Sequence, residues 1–183
     1  MKREILVWFL VMGIVFFSSC SSNSGPVTET TASSEKSEIV QKDDGTISLK
    51  VEKADCYHDM DNPASNTAEW NVVVSKAGRF NVWLSSATKD TTNLQYKHSV
   101  MLSVLDNRIE ALPEVDRVIQ NSNDVTFPYF RADSFMGSLF IQDTGHYNIQ
   151  VISEKIVPEN QVSAADNSKI ISVLLTPEVA PAH

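Results

Sequence analysis

Tyr96 stands in the polar stretch Thr88 to His98, with Asn93, Gln95 and His98 close by in the chain. A tyrosine ring offers a flat apolar face, and amide and imidazole groups donate and accept hydrogen bonds. Together they suit non-covalent recognition of a ligand that presents both C–H patches and hydroxyls. Tyr57, in Asp55-Cys56-Tyr57-His58-Asp59, and Tyr129, beside Pro128, pose the same possibility. For each tyrosine a second reading stands, that the ring packs a loop onto the edge of the domain. Trp83 falls out of phase with Phe80, Val82 and Leu84, so it lies either under a covering loop or on an open face. Trp70, in phase with Val72 and Val74, belongs to the core.

Residues for covalent or metal chemistry are sparse. The sequence has no Gly-x-Ser-x-Gly, no His-Glu-x-x-His, no Gly-rich phosphate loop and no paired-Cys zinc site. Two carboxylates distant in sequence would suffice for a glycosidase, but nothing points to which two. His58, Asp59, Asp61 and Asn62 supply oxygen and imidazole groups within five residues. A calcium loop needs a glycine at its sharp bend, and Asn62-Pro63 does not provide it, so the cluster reads as a polar turn and no metal or other cofactor is expected. Cys56 reads as a small buried hydrophobe, with a reactive thiol as the alternative.

The elements that would hold these residues begin after an address. Lys2 and Arg3 precede a thirteen-residue apolar run, Ile5 to Phe17, which is followed by Ser18, Ser19 and Cys20. A membrane-spanning helix needs about 20 apolar residues, so this run fits a secretory signal peptide over residues 1–19. Phe17-Ser18-Ser19-Cys20 resembles the lipobox of bacterial lipoproteins, which implies acylation at Cys20 and a membrane attachment through that N-terminal lipid alone. With Cys20 lipidated, Cys56 has no disulfide partner in the chain. Residues 20–45, rich in Ser, Thr, Glu and Lys and without aromatics after Cys20, read as a flexible linker.

Residues 46–183 form one expected domain. Ile47, Leu49 and Val51 alternate with polar neighbours, as do Trp70, Val72 and Val74, then Phe80, Val82 and Leu84, then Tyr147, Ile149 and Val151. This period of two marks half-buried antiparallel strands. Further strands are expected at Ser99 to Leu105, Val125 to Arg131, Phe135 to Ile141 and Lys169 to Leu174, with a short helical turn possible in Asn107 to Gln120. Turn residues separate them, and a long polar loop runs from Ser153 to Ser168. The pattern predicts an all-β fold, an antiparallel β-sandwich.

The hairpin Ala68 to Leu84, AEWNVVVSKAGRFNVWL, resembles that of galactose-binding-like jelly rolls, especially carbohydrate-binding modules of families 6 and 35 on lipoproteins of Bacteroides-type bacteria. The similarity runs in order over about residues 46 to 176. It implies a jelly roll whose loops bind sugar, and a structural calcium held by an acidic opening triplet and a closing Asp. Here the opening is Val51-Glu52-Lys53 and the close is Lys169-Ile170-Ile171, so a cation stands where an anionic ligand is expected.

The chain has 15 Lys and Arg against 23 Asp and Glu, a net charge of −8, and no basic cluster, which argues against nucleic acid as a partner. The expectation is a lipid-anchored, non-catalytic module that binds a glycan, with Tyr96, Trp83, Tyr57, Asn93, Gln95 and His98 as the ligand-binding set. The alternatives are a protein-interaction module of an envelope complex and a small glycoside hydrolase. In Bacteroides-type lipoproteins, surface export resembles a signal of acidic residues after the lipidated Cys. Ser21 to Gly25 carries no charge, so the expected location is the outer membrane, facing the periplasm.

Overall fold

Side chains that alternate between apolar and polar need one dry face and one wet one, and the chain meets that need with two stacked sheets. The computed structural model describes residues 38–157 and 167–178. Its strands are β1 (Ile39–Val40), β2 (Ile47–Lys50), β3 (Asp55–Tyr57), β4 (Thr67–Val74), β5 (Gly78–Thr88), β6 (Val100–Val104), β7 (Asn107–Ala111), β8 (Arg117–Ile119), β9 (Phe130–Ile141), β10 (Gly145–Ile152) and β11 (Ser168–Pro177). The first sheet runs β1-β4-β10-β6-β7 with β3 also paired to β4, and the second runs β2-β11-β5-β9-β8. Among the described residues only β1 and β4 pair in parallel. Helix among the described residues is limited to two 3-10 turns, Val51–Lys53 and Pro63–Ser65. The fold is the β-sandwich that the alternation predicts.

The inward residues meet as one core. Trp70 and Val72 of β4, Phe80, Val82 and Leu84 of β5, Ile149 and Val151 of β10, and Val173 and Leu175 of β11 are almost wholly buried. Burying each such side chain stabilises the fold by roughly 1.5–3 kcal/mol. Trp70 also links the sheets, because its indole N–H donates to the carbonyl of Lys50 at 2.9 Å.

Two bulges matter for the second sheet. Between β5 and β9, Val82 pairs with Gly137 while Trp83 pairs with Phe135, leaving Met136 as the extra residue. Met136 turns inward at 6% exposure and Phe135 turns outward at 45%, beside Trp83. Between β11 and β5, Ile170 pairs with Ser86 and Ser172 with Ser85, so Ile171 is the extra residue. Bulges re-aim side chains, and both of these change which residues the outer face presents.

Several expectations need correction. The folded domain begins before residue 46, since β1 pairs with Val72 and Val73 and Gln41 is buried. The Gln41 side chain donates to the carbonyls of Gly45 (2.7 Å) and Lys76 (3.2 Å), and its oxygen accepts from the amides of Ser75 and Lys76. Residues 38–45 therefore belong to the domain, because one amide side chain satisfies three backbone groups at the β4–β5 turn and one, the Gly45 carbonyl, at the β1–β2 turn. Val125 to Tyr129 is a loop, and β9 starts only at Phe130, after Pro128, which has no N–H to give a ladder. The segment Asn107 to Gln120 holds strands β7 and β8 where a helical turn was possible. The signal peptide, Cys20 and most of the linker lie outside the described residues.

Candidate functional site

The outward residues of the second sheet fall into rows across its strands. One row is Ser48, Leu174, Trp83 and Phe135; the next is Lys50, Ser172, Ser85, Asp133 and Arg117; the next is Lys169, Ala87, Arg131 and Ile119. Over the last two rows the segment 124–129 and the turn Val51–Lys53 rise as walls. Between them lies a cleft of about 670 Å³, lined by Lys50, Glu52, Asp124, Thr126, Tyr129 and Lys169, with Cys56 and His58 of the β3 region at one end. A cleft of this volume is in the range of small-molecule sites.

An ion network braces its Asp124 and Lys50 walls. Ser85 Oγ donates to Asp133 Oδ1 at 2.8 Å, Arg131 Nε donates to the same oxygen at 2.8 Å, and Arg131 Nη1 donates to Asp124 Oδ2 at 2.8 Å. Lys50 Nζ lies 3.4 Å from Asp124 and 3.9 Å from Glu52. Partial burial pushes the Asp124 carboxyl up, but Arg131 and Lys50 outweigh it and hold the group below its ordinary range. Arg131 is raised in turn: burial works against its charge, and Asp133 and Asp124 more than compensate. Asp124 is thus fixed as an acceptor.

Two polar groups in the cleft remain unspent. His58 Nε2 is buried without a hydrogen-bond partner. The Lys169 side chain makes no ion pair or hydrogen bond among the described residues. Tyr129 gives the cleft its ring, with Lys89 Nζ 5.1 Å from the ring centroid. Phe127, two residues before it, is 90% exposed at the tip of the same wall.

The opening and closing segments singled out in the sequence do meet here, since Val51 and Glu52 line the cleft together with Lys169, Ile170 and Ile171. They do not fit a calcium ion. Lys50 and Lys169 share the space with Glu52, and Asp124 already serves Arg131, so too few free carboxylate oxygens are left for six to eight oxygen ligands.

The cleft excludes most of the expected ligand-binding set. Tyr96 is turned inward, with its hydroxyl 2.8 Å from Ser86 Oγ and its ring against the core. Burial pushes its phenol well above the ordinary range. Asn93 Oδ1 accepts from the Gln95 amide and Gln95 Oε1 from Asn167, so both shape their own loop. His98 is exposed, with Nδ1 3.6 Å from Glu154 Oε2. None of these four lines the cleft. Tyr57 is 57% exposed and points away from it, while its neighbours Cys56 and His58 line it. Trp83 sits on the outer face one row from the cleft, its ring 5.2 Å from Phe135 and under the Arg117 guanidinium at 4.7 Å. Asp59 serves its own turn: its Oδ1 accepts from the amides of Asp61 and Asn62.

Sequence reasoning missed Lys50, Asp124, Phe135 and Arg117. Alternation alone places Lys50 outward, but only the path of the 124–129 loop makes that outward position a cleft wall.

No family model matches the chain, and no curated protein matches it either. Solved structures do. An α-L-fucosidase from Vibrio sp. strain EJY3 aligns with a TM-score of 0.63 and 21% identity over 78% of this chain. That likeness shows the fold. This chain spans only 24% of the fucosidase. A Podospora anserina GH26-CBM35 β-(1,4)-mannanase aligns over 76% of this chain and 29% of its own, at TM-score 0.47 and 11% identity. The insecticidal crystal protein Cry2Aa aligns over 75% of this chain and 22% of its own, at TM-score 0.44 and 9% identity.

Proposed function

We propose that this chain is a non-catalytic carbohydrate-binding module of the galactose-binding-like kind, with its site in the cleft over the second sheet. The observation that carries the reading is the cleft itself, which brings the Tyr129 ring together with the carboxylates of Asp124 and Glu52 and with the Lys169 ammonium and the His58 Nε2, which have no polar partner among the described residues. A ring for C–H patches and polar groups of both kinds for hydroxyls is the composition a sugar site needs. The fucosidase with the same fold gives this reading further support.

The pinning of Asp124 speaks against this carboxyl as the general acid of a glycosidase. A glycosidase acid must hold a proton near neutral pH, which requires a raised pKa, whereas Arg131 and Lys50 depress this one. The rival reading, a module that binds an envelope protein, draws on the outward Phe135 and Phe140, 45% and 49% exposed. For the chain as a whole we propose lipidation at Cys20 and attachment to the outer membrane of a Bacteroides-type cell, facing the periplasm.

A glycan array tests the site. The parent protein should give hits, and Tyr129→Ala and Lys169→Gln should each weaken them about tenfold or more without moving the melting temperature. An array with no hits for the parent protein would favour the protein-binding reading.

A further inference from the structure

The cleft does not end at its walls. Along the outer face, the next row beyond Lys50, Ser172, Ser85 and Asp133 is the one that carries Trp83 and Phe135, so the ring pair lies two residues, or roughly 7 Å, further along the strands. Arg117, on β8, lies over Trp83 and closes that row from the side.

Charge ties the two places together. Arg117 forms no ion pair among the described residues: the neighbouring Asp116 accepts from the Phe135 amide at 2.6 Å, and Asp133, its partner in register, is taken by Arg131 and Ser85. Lys169 is likewise uncompensated in the cleft. A protein of net charge −8 thus keeps two spare cations on one face. Lys169 sits on β11 and Arg117 on β8, three strand spacings apart, about 14 Å across the sheet. A single sugar cannot touch both, and a short chain of sugars can.

We propose that Arg117, Trp83 and Phe135 form a second sugar subsite, and that the ligand is an acidic, chain-like glycan crossing the second sheet from Lys169 to Arg117. This rests on the carbohydrate reading of the cleft and narrows it. Lys169 and Arg117 receive anionic substituents on different sugar units, and the exposed face of Phe135 takes the apolar side of one ring. Outward Asn81 and Ser138, paired at 2.8 Å in the row beyond, continue the track with hydroxyl-matching groups.

Calorimetric titration of the full chain tests it, with oligogalacturonates and heparin fragments of two and six sugar units and neutral galacto-oligosaccharides of the same lengths. The six-unit member of one acidic series should bind about tenfold tighter than its two-unit member. Which acidic series does so separates carboxylate from sulfate recognition. Arg117→Gln and Phe135→Ala should remove that gain and leave two-unit binding unchanged, while Lys169→Gln weakens both lengths. The statistical advantage of a longer chain would survive these substitutions, so loss of the gain reports the subsite. Equal affinity for both lengths, or equal binding of the neutral series, would overturn the proposal and leave the carbohydrate reading standing. If no saccharide of any series binds, the carbohydrate reading falls and takes this one with it.

Discussion

The indole N–H of Trp70 donates to the backbone carbonyl of Lys50 at 2.9 Å, so the largest core side chain holds the strand whose outward lysine lines the cleft. Trp70→Phe keeps most of the apolar volume and leaves that carbonyl without its partner. The expected cost is about 1–3 kcal/mol, read as a lower urea midpoint with an unchanged slope.

Gln41 should prove to be part of the fold. Gln41→Ala strips partners from three backbone groups at the β4–β5 turn and one at the β1–β2 turn, and should destabilise by about 2 kcal/mol or more. A chain beginning at Thr46 should lose more, since it also lacks β1; a melting temperature equal to the parent's would place the domain start back at residue 46.

Tyr96 should behave as a structural residue. Tyr96→Phe removes the hydrogen bond to Ser86 and should lower stability by about 1 kcal/mol, with glycan binding unchanged. A binding defect without a change in stability would restore the loop to the site.

Acid should weaken the Asp124 wall of the cleft. The folded pKa of Asp124 lies below its unfolded value near 3.8, so its contribution is complete above that value and is lost as pH falls through the folded one. Asp44, Asp59, Asp90 and Glu110 are also depressed by their hydrogen bonds and add to the same acid limb. The informative quantity is therefore a difference. Asp124→Asn should narrow the stability gap between pH 6 and pH 3 in urea titrations, and an unchanged gap would mean the Arg131 and Lys50 pairings carry no net stabilisation.

Leu105 occupies a left-handed conformation, φ +51, in the turn between β6 and β7, where it is 73% exposed. That backbone costs an ordinary residue about 1–2 kcal/mol, and asparagine tolerates it better. Leu105→Asn should raise the melting temperature.

The strands were legible because burial on one face leaves a period of two, which β4 carries throughout and β5 carries from Phe80 to Leu84. Phe135 was not, because the bulge at Met136 shifts the phase in mid-strand and no turn residue marks the shift. Tyr96 misled for a related reason. Its neighbours are polar, yet they satisfy one another within the loop, and the ring turns inward where Ser86, a buried position on β5, offers its hydroxyl a partner. The closing lysine was visible in the sequence, but its meeting with Glu52 required the pairing of β2 with β11.

The β4 edge is shielded by two short pieces, β3 over its first half and the two-residue β1 over its second. Any pull delivered through the residues ahead of β1 reaches β1 before the sandwich, and that parallel pair, two residues long, is the shortest ladder among the described residues. Tension would peel it away while the two main sheets stayed closed, and bare the backbone of Val72 and Val73. Mechanical load on the chain ahead of β1 would thus turn a covered margin into an adhesive one, open to strand pairing with a neighbouring copy.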